Sequence, residues 1–304
     1  MTKKNKLRIL RLFILLTFLP LCSCAIMNAR YDKWNESVER TPEGVLTFSQ
    51  AKTYGEGQNA ILLVHGFGDG PHVWKNLAPA LAEKGYYVSA IRLPGWGEPI
   101  EAKRTVQIEA WENSILQEIE RLRENHPQVA VMAHSMGGCI TTVMAQAGIL
   151  NADALVLYAP MLEVSSARSP LFKTRTWYKI GSKVLPDNMI IESVFPDHAR
   201  VNEPRPKTER DPFSPKQIYN LLYAEMDRFE DQPAQSPLPV RLVLPGEDRV
   251  VSNERSERWF QNLEAPEKCL VIDEPAGHVL PLDVDVLAES DRLVVWLSKQ
   301  GITP

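Results

Sequence analysis

Residues 129–138 read Val129-Ala130-Val131-Met132-Ala133-His134-Ser135-Met136-Gly137-Gly138. The first five are apolar and uncharged, and a helix-like run follows through Gly148. Such a short apolar run ending in a turn reads as a strand buried on both faces. The turn into the helix is sharp, so the positions two before and two after the serine face neighbouring backbone and must be small. Ala133 and Gly137 meet that need. A serine in this place can also be no more than the N-cap of the helix. The rest of the chain decides between the two.

Further apolar runs lie on either side: 60–64, 87–91, 155–158, 241–244 and 269–272. They are nearly continuous, as strands covered on both faces must be. Between the second run and Val129, the residues Ile108, Trp111, Ile115, Ile119 and Leu122 recur at helical spacing and put one apolar stripe on a helix. Strand and helix in alternation predict an α/β fold, a mostly parallel sheet with helices on both faces. The alternation fails between about Glu163 and Pro239, where 10 of the 23 prolines fall. Aromatic residues cluster in that segment, among them Phe172, Trp177, Tyr178, Phe195, Phe213, Tyr219, Tyr223 and Phe229. Leu221, Leu222, Met226 and Phe229 predict one helix inside it. The expected organisation is a core of residues 41–162 and 237–304 with an inserted cap at 163–236.

Three more loops follow predicted strands, on the sheet edge where open α/β folds place their sites. His65-Gly66-Phe67-Gly68-Asp69-Gly70 is glycine-rich, so a backbone N–H there can point at a developing oxyanion. His65 itself reads as a brace for the loop. Pro245-Gly246-Glu247-Asp248-Arg249 offers a carboxylate that can fix an imidazole tautomer, either Asp248 or its neighbour Glu247. Pro275-Ala276-Gly277-His278 places a histidine in a small-residue loop before a helix expected near Asp283. His72, His126, His134 and His198 have no comparable setting, and no ligand cluster emerges; neither metal nor cofactor is expected.

Ser135, Asp248 and His278 stand in the chain order of the α/β-hydrolase triad, and over roughly residues 42–300 the sequence resembles that superfamily. Leu93-Pro94-Gly95-Trp96-Gly97 resembles the P-G-x-G loop of its monoacylglycerol lipase, lysophospholipase and serine aminopeptidase-like group. Ala133 in place of glycine and Trp96 are departures from that pattern. The resemblance implies Ser135 as nucleophile, Asp248 as acid and His278 as base. It also implies the backbone N–H groups of Phe67 and Met136 as oxyanion donors. An Asp at position 135 would be needed for the dehalogenase or epoxide hydrolase chemistry of related proteins. A small acyl ester or lipid is the substrate class implied. An aminopeptidase or amidase is the alternative, with Glu203, Glu209, Asp211, Glu225 or Asp227 available to hold a substrate amine. A non-catalytic envelope lipoprotein is the third reading.

The chain has 304 residues, with 34 basic and 38 acidic side chains. Residues 1–23 carry five of the basic ones and no acid, which leaves 29 against 38 beyond them. So acidic a remainder repels phosphate backbones and speaks against a nucleic-acid partner. The basic start and the apolar run Leu12–Leu19 form an export signal too short to span a membrane. Leu21-Cys22-Ser23-Cys24 resembles the bacterial lipobox. The resemblance implies cleavage before Cys24, acylation of that cysteine and membrane attachment, with Ala25 favouring the outer membrane. Cys22 is the poorer acceptor because the bulky Leu21 precedes it. An ordinary secreted protein and an uncleaved anchor are the alternatives. Residues 24–40 are expected as a polar tether. Cys139 and Cys269 read as reduced thiols rather than a disulfide.

Overall fold

A computed structural model describes residues 24–304, apart from 167, 168, 170–172, 184, 187, 194, 196 and 198–206. The export signal, Cys22, Phe172, His198 and Glu203 fall outside the described residues.

The core is a seven-stranded sheet made of β1 (Lys52–Tyr54), β2 (Ala60–Val64), β3 (Tyr87–Ile91), β4 (Val129–His134), β5 (Ala154–Tyr158), β8 (Val240–Pro245) and β9 (Lys268–Asp273). The spatial order is β1-β3-β2-β4-β5-β8-β9. Only β1 runs antiparallel to its neighbour; the other pairs are parallel. The expected α/β-hydrolase architecture is therefore present. Strands β2, β4, β5 and β8 are buried along their whole length, which is why their sequences are unbroken apolar runs. The edge strand β9 departs from that expectation. Its residues alternate in exposure, because an edge strand lacks cover on one side. The other edge, β1, has three residues and no apolar run, so the sequence carried no signal for it.

Helices flank the sheet. α2 (Leu77–Glu83) packs on α10 (Val286–Lys299), and α5 (Ser135–Gln146) lies against both α4 (Ile108–Arg123) and α7 (Lys216–Glu230). The predicted stripe of α4 buries Trp111, Ile115, Ile119 and Leu122 against the core. Each such side chain contributes about 1.5–3 kcal/mol relative to exposure. The helix expected near Asp283 is two pieces, α9 (Leu280–Asp283) and α10.

Two boundaries move. The helix predicted inside the cap, α7, is the crossover from β5 to β8 and packs on α5 beside the sheet. Its Ile218, Leu222, Met226 and Phe229 join the main core. Parallel strands need such a crossover, so the alternation resumes at Lys216 and the inserted part ends there. The described cap consists of α6 (Thr174–Gly181) and the antiparallel hairpin of β6 (Ile190–Glu192) and β7 (Phe213–Pro215). Residues 24–36, expected as tether, form helix α1. Tyr31 and Trp34 place their rings 5.8 and 5.5 Å from that of Phe213 in the cap, and Arg30 pairs with Glu192. Tyr31 and Trp34 anchor this helix to the cap.

Candidate active site

The register of the parallel strands sets the site. Val64 at the end of β2 is level with Ala133, and His134 is level with Tyr158. The loops after β2, β4, β8 and β9 therefore gather at one edge. Ser135 opens α5 directly after β4 with φ of 53°, a left-handed conformation that costs a non-glycine residue about 1–3 kcal/mol. Close approach of backbone enforces the small neighbours. A Cβ on Gly137 would lie 2.5 Å from the carbonyl oxygen of His65, and one on Gly138 would lie 3.0 Å from Pro160. Ala133 is wholly buried and its single methyl fits.

His278 Nε2 lies 3.0 Å from Ser135 Oγ, and His278 Nδ1 lies 2.8 Å from Asp248 Oδ2. The other carboxylate oxygen of Asp248 accepts from the backbone N–H groups of Val250 at 2.7 Å and Val251 at 2.9 Å. Burial alone would raise the Asp248 pKa. The His278 ring and those two N–H groups outweigh burial and hold the carboxyl below its usual range. The candidate Glu247 is instead exposed and pairs with Arg249 at 2.7 Å. Of the two acids left open by the sequence, the structure joins Asp248 to the histidine.

Residues 55–285 match the family described as serine aminopeptidase, S33. The chain belongs to that family. The chain is 26% identical to a thermostable monoacylglycerol lipase of Bacillus sp. strain H-257, over 81% of its own length and 92% of the relative's. It is 23% identical to a carboxylesterase of Bacillus subtilis strain 168, over 76% and 89%. The fold is similar to that of a monoacylglycerol lipase from Paleococcus ferrophilus, with a TM-score of 0.65, 19% identity and coverage of 82% and 98%. The chain is an ester-hydrolysing enzyme of this family.

The oxyanion candidates lie beside the serine. Met136 stands in the first turn of α5, where backbone N–H groups have no acceptor within the helix. Phe67 follows Gly66, and a Cβ on Gly66 would come within 2.9 Å of Ser135 Cβ. The Gly66 carbonyl accepts from His65 Nδ1 at 2.9 Å and from the Asp69 N–H at 3.3 Å, which fixes the peptide bearing the Phe67 N–H. His65 Nε2 accepts from the Leu93 N–H at 3.0 Å. Full burial pushes the His65 pKa down to about 4, so the ring stays neutral and can accept there. Its reading as a brace fits this geometry.

Several contributors were not read from the sequence as part of the site. His134 donates through Nε2 to the His278 carbonyl oxygen at 3.0 Å and steadies the loop of that histidine. Trp96 is wholly buried and places its ring 4.9 Å from that of Phe67. Phe195 and Tyr219 reach the same ring at 5.3 and 5.1 Å. The cavity at Ser135 is about 20 Å³, room for a single water. Phe67, Met161 and Phe195 form its apolar wall, and Asp69, Asp197 and Arg210 its charged one. A larger cavity of about 290 Å³, between Lys173, Tyr223 and Arg255, does not include the serine. Of the acids considered for a substrate amine, Asp211 pairs with Lys103, Glu225 with Arg228 and Asp227 with Arg175. None of these three lines the cavity at Ser135.

Proposed function

We propose that the protein is a serine hydrolase of monoacylglycerols, lysophospholipids or other small acyl esters, acting through an acyl-enzyme on Ser135. The unbroken hydrogen-bond chain from Ser135 through His278 to Asp248 carries this reading. His278 takes the hydroxyl proton as Ser135 Oγ attacks the acyl carbonyl, and Asp248 stabilises the imidazolium. The N–H groups of Phe67 and Met136 hold the oxyanion, an effect worth several kcal/mol in a site that excludes water. His278 then protonates the leaving alcohol. Water repeats the cycle on the acyl-enzyme and restores the serine.

A fluorophosphonate probe tests this directly. It is expected to label Ser135 alone, and Ser135→Ala is expected to lower kcat on the order of 10⁶-fold. Labelling elsewhere, or retained turnover, rejects the mechanism. A panel of p-nitrophenyl esters against aminoacyl anilides separates the esterase from the aminopeptidase reading.

The same proposal extends to location. Acylated Cys24 would hold the enzyme on a bacterial envelope membrane, the outer membrane by the residue that follows, where lipid esters are at hand. Several acyl chains, at about 0.8 kcal/mol for each buried CH₂, make such attachment stable. Intact mass of the mature protein tests it. Cleavage before residue 24 with added acyl chains supports the anchor, and a mature N-terminus without lipid rejects it.

A further inference from the structure

Ser135 shares its cavity with Arg210, the one lysine or arginine among the described lining residues. Arg210 comes directly before Asp211, and Asp211 is held on three sides. Its N–H donates to the Gly68 carbonyl at 3.0 Å, Oδ2 accepts from the Gly97 N–H at 2.8 Å, and Oδ1 takes Lys103 Nζ at 2.6 Å. This fixes the Arg210 backbone against the loop that carries Phe67. A Cβ on Gly68 would lie 3.8 Å from Arg210 Nη2.

The buried Nε of that guanidinium has no hydrogen-bond partner among the described residues. The acids around it are differently situated. Asp69 and Asp197 line the same cavity but each has a partner. The preceding Glu209 pairs with Lys75 at 3.5 Å. A guanidinium presents a planar fork of donors that matches a carboxylate or phosphate, and leaving it unpaired is costly. The cavity is thus divided. Phe67, Met161 and Phe195 give one side an apolar surface, and Arg210 gives the side it shares with Asp69 and Asp197 a fork of donors.

We infer that Arg210 binds an anionic group on the alcohol portion of the substrate. The preferred ester is then one whose alcohol bears a phosphate, as in an anionic lysophospholipid, rather than an uncharged glycerol ester. This rests on the proposed attack by Ser135 and adds to it the choice of leaving group.

The test compares lysophosphatidylglycerol with monoacylglycerol of the same acyl chain. The wild-type enzyme is expected to favour the anionic ester by about tenfold or more in kcat/KM, a gap of the size that one hydrogen bond to a charged group supplies. Arg210→Gln is expected to abolish that preference, chiefly through KM, and Arg210→Lys to keep part of it, since the charge remains and the fork does not. Thermal midpoints monitor the fold of both variants. Glycerol 3-phosphate is expected to compete with p-nitrophenyl butyrate in the wild type, to lose that effect in Arg210→Gln, and to compete better than glycerol. Competition by decanoate alone would assign Arg210 to the acid product and overturn the inference. Equal kcat/KM for the two lipids in the wild type would also overturn it while leaving the serine mechanism in place. Failure of the wild type on both lipids and on p-nitrophenyl butyrate would remove the proposed function, and this inference with it.

Discussion

Lys103 Nζ lies 2.6 Å from Asp211 Oδ1, and neither side chain is more than 3% exposed. Lys103 also donates to the Phe213 carbonyl at 2.6 Å and stands 4.9 Å from the centre of the Trp96 ring. The pair therefore joins α3 (Ile100–Thr105), the cap strand β7, the Gly97 loop and the Gly68 loop beside the serine. Removing one member of a buried pair strands the other charge. Lys103→Met is expected to destabilise the protein by about 3–5 kcal/mol. The double variant Lys103→Met, Asp211→Leu is expected to lose less than the two single variants together. Chemical denaturation of the four forms measures the coupling, and additive losses would show that the pair does not act as a unit.

Gly66 is a second point where sequence and catalysis meet. A Cβ there would come within 2.9 Å of Ser135 Cβ and 3.0 Å of His134 Nδ1. Gly66→Ala pushes the Phe67 N–H away from the serine. It is expected to lower kcat about 10²–10³-fold, the effect of losing one oxyanion donor, with little change in KM. Gly181 is the control, because a Cβ there meets nothing within 4 Å. Gly181→Ala is expected to leave kcat unchanged. Equal kcat in wild type and Gly66→Ala on a soluble ester would contradict the placement of the donor.

The roles of Asp248 and Glu247 differ by geometry. In Asp248→Asn, an amide oxygen can keep the bonds from Val250 and Val251, but its NH₂ then faces His278 Nδ1. That arrangement puts the imidazole proton on Nε2, where it can no longer accept from Ser135. A loss on the order of 10⁴ in kcat is expected, as for the corresponding change in a serine protease triad. Glu247→Gln breaks an exposed pair with Arg249 and leaves the His278 contact of Asp248 in place, so it is expected to keep kcat within about twofold. Steady-state kinetics of the two variants decides the assignment, and the reverse ranking would refute it.

The parts of this protein legible in its sequence are those where one physical demand dominates. Continuous burial marks β2, β4, β5 and β8, and a sharp turn under close backbone marks Ala133 to Gly137. The strand-end rule then places Ser135, Asp248 and His278 together. Legibility fails where the demand is mixed or comes from distant chain. β1 is an edge strand of three residues with no apolar pattern. α7 reads as cap because prolines and aromatic residues surround it, although it covers the sheet beside α5. His134 and Trp96 act through partners brought by the fold, the carbonyl of His278 and the ring of Phe67, and Arg210 reaches the cavity through the bonds of its neighbour Asp211. No local pattern announces a contact of that kind. The choice between Asp248 and Glu247 is likewise made by the fold, since adjacent turn residues diverge in direction.

Glu225 on α7 gives the chain a pH dependence outside the active site. Its side chain is 1% exposed and pairs with Arg228 at 2.8 Å. Burial outweighs that pairing and raises its pKa from 4.5 to about 7, with Glu112 adding to the rise. The folded state thus holds a proton that the unfolded chain releases. Stability from this group is fully present below about pH 4.5 and is lost as pH rises through about 7. Between pH 5.5 and 8.5 the linkage relation gives a loss of about 2 kcal/mol for such a shift. Glu225→Gln cannot titrate, so its stability relative to wild type is expected to rise by about that amount over the same interval. Urea denaturation at the two pH values measures the difference, and an equal gap at both would show that Glu225 does not titrate in the folded protein.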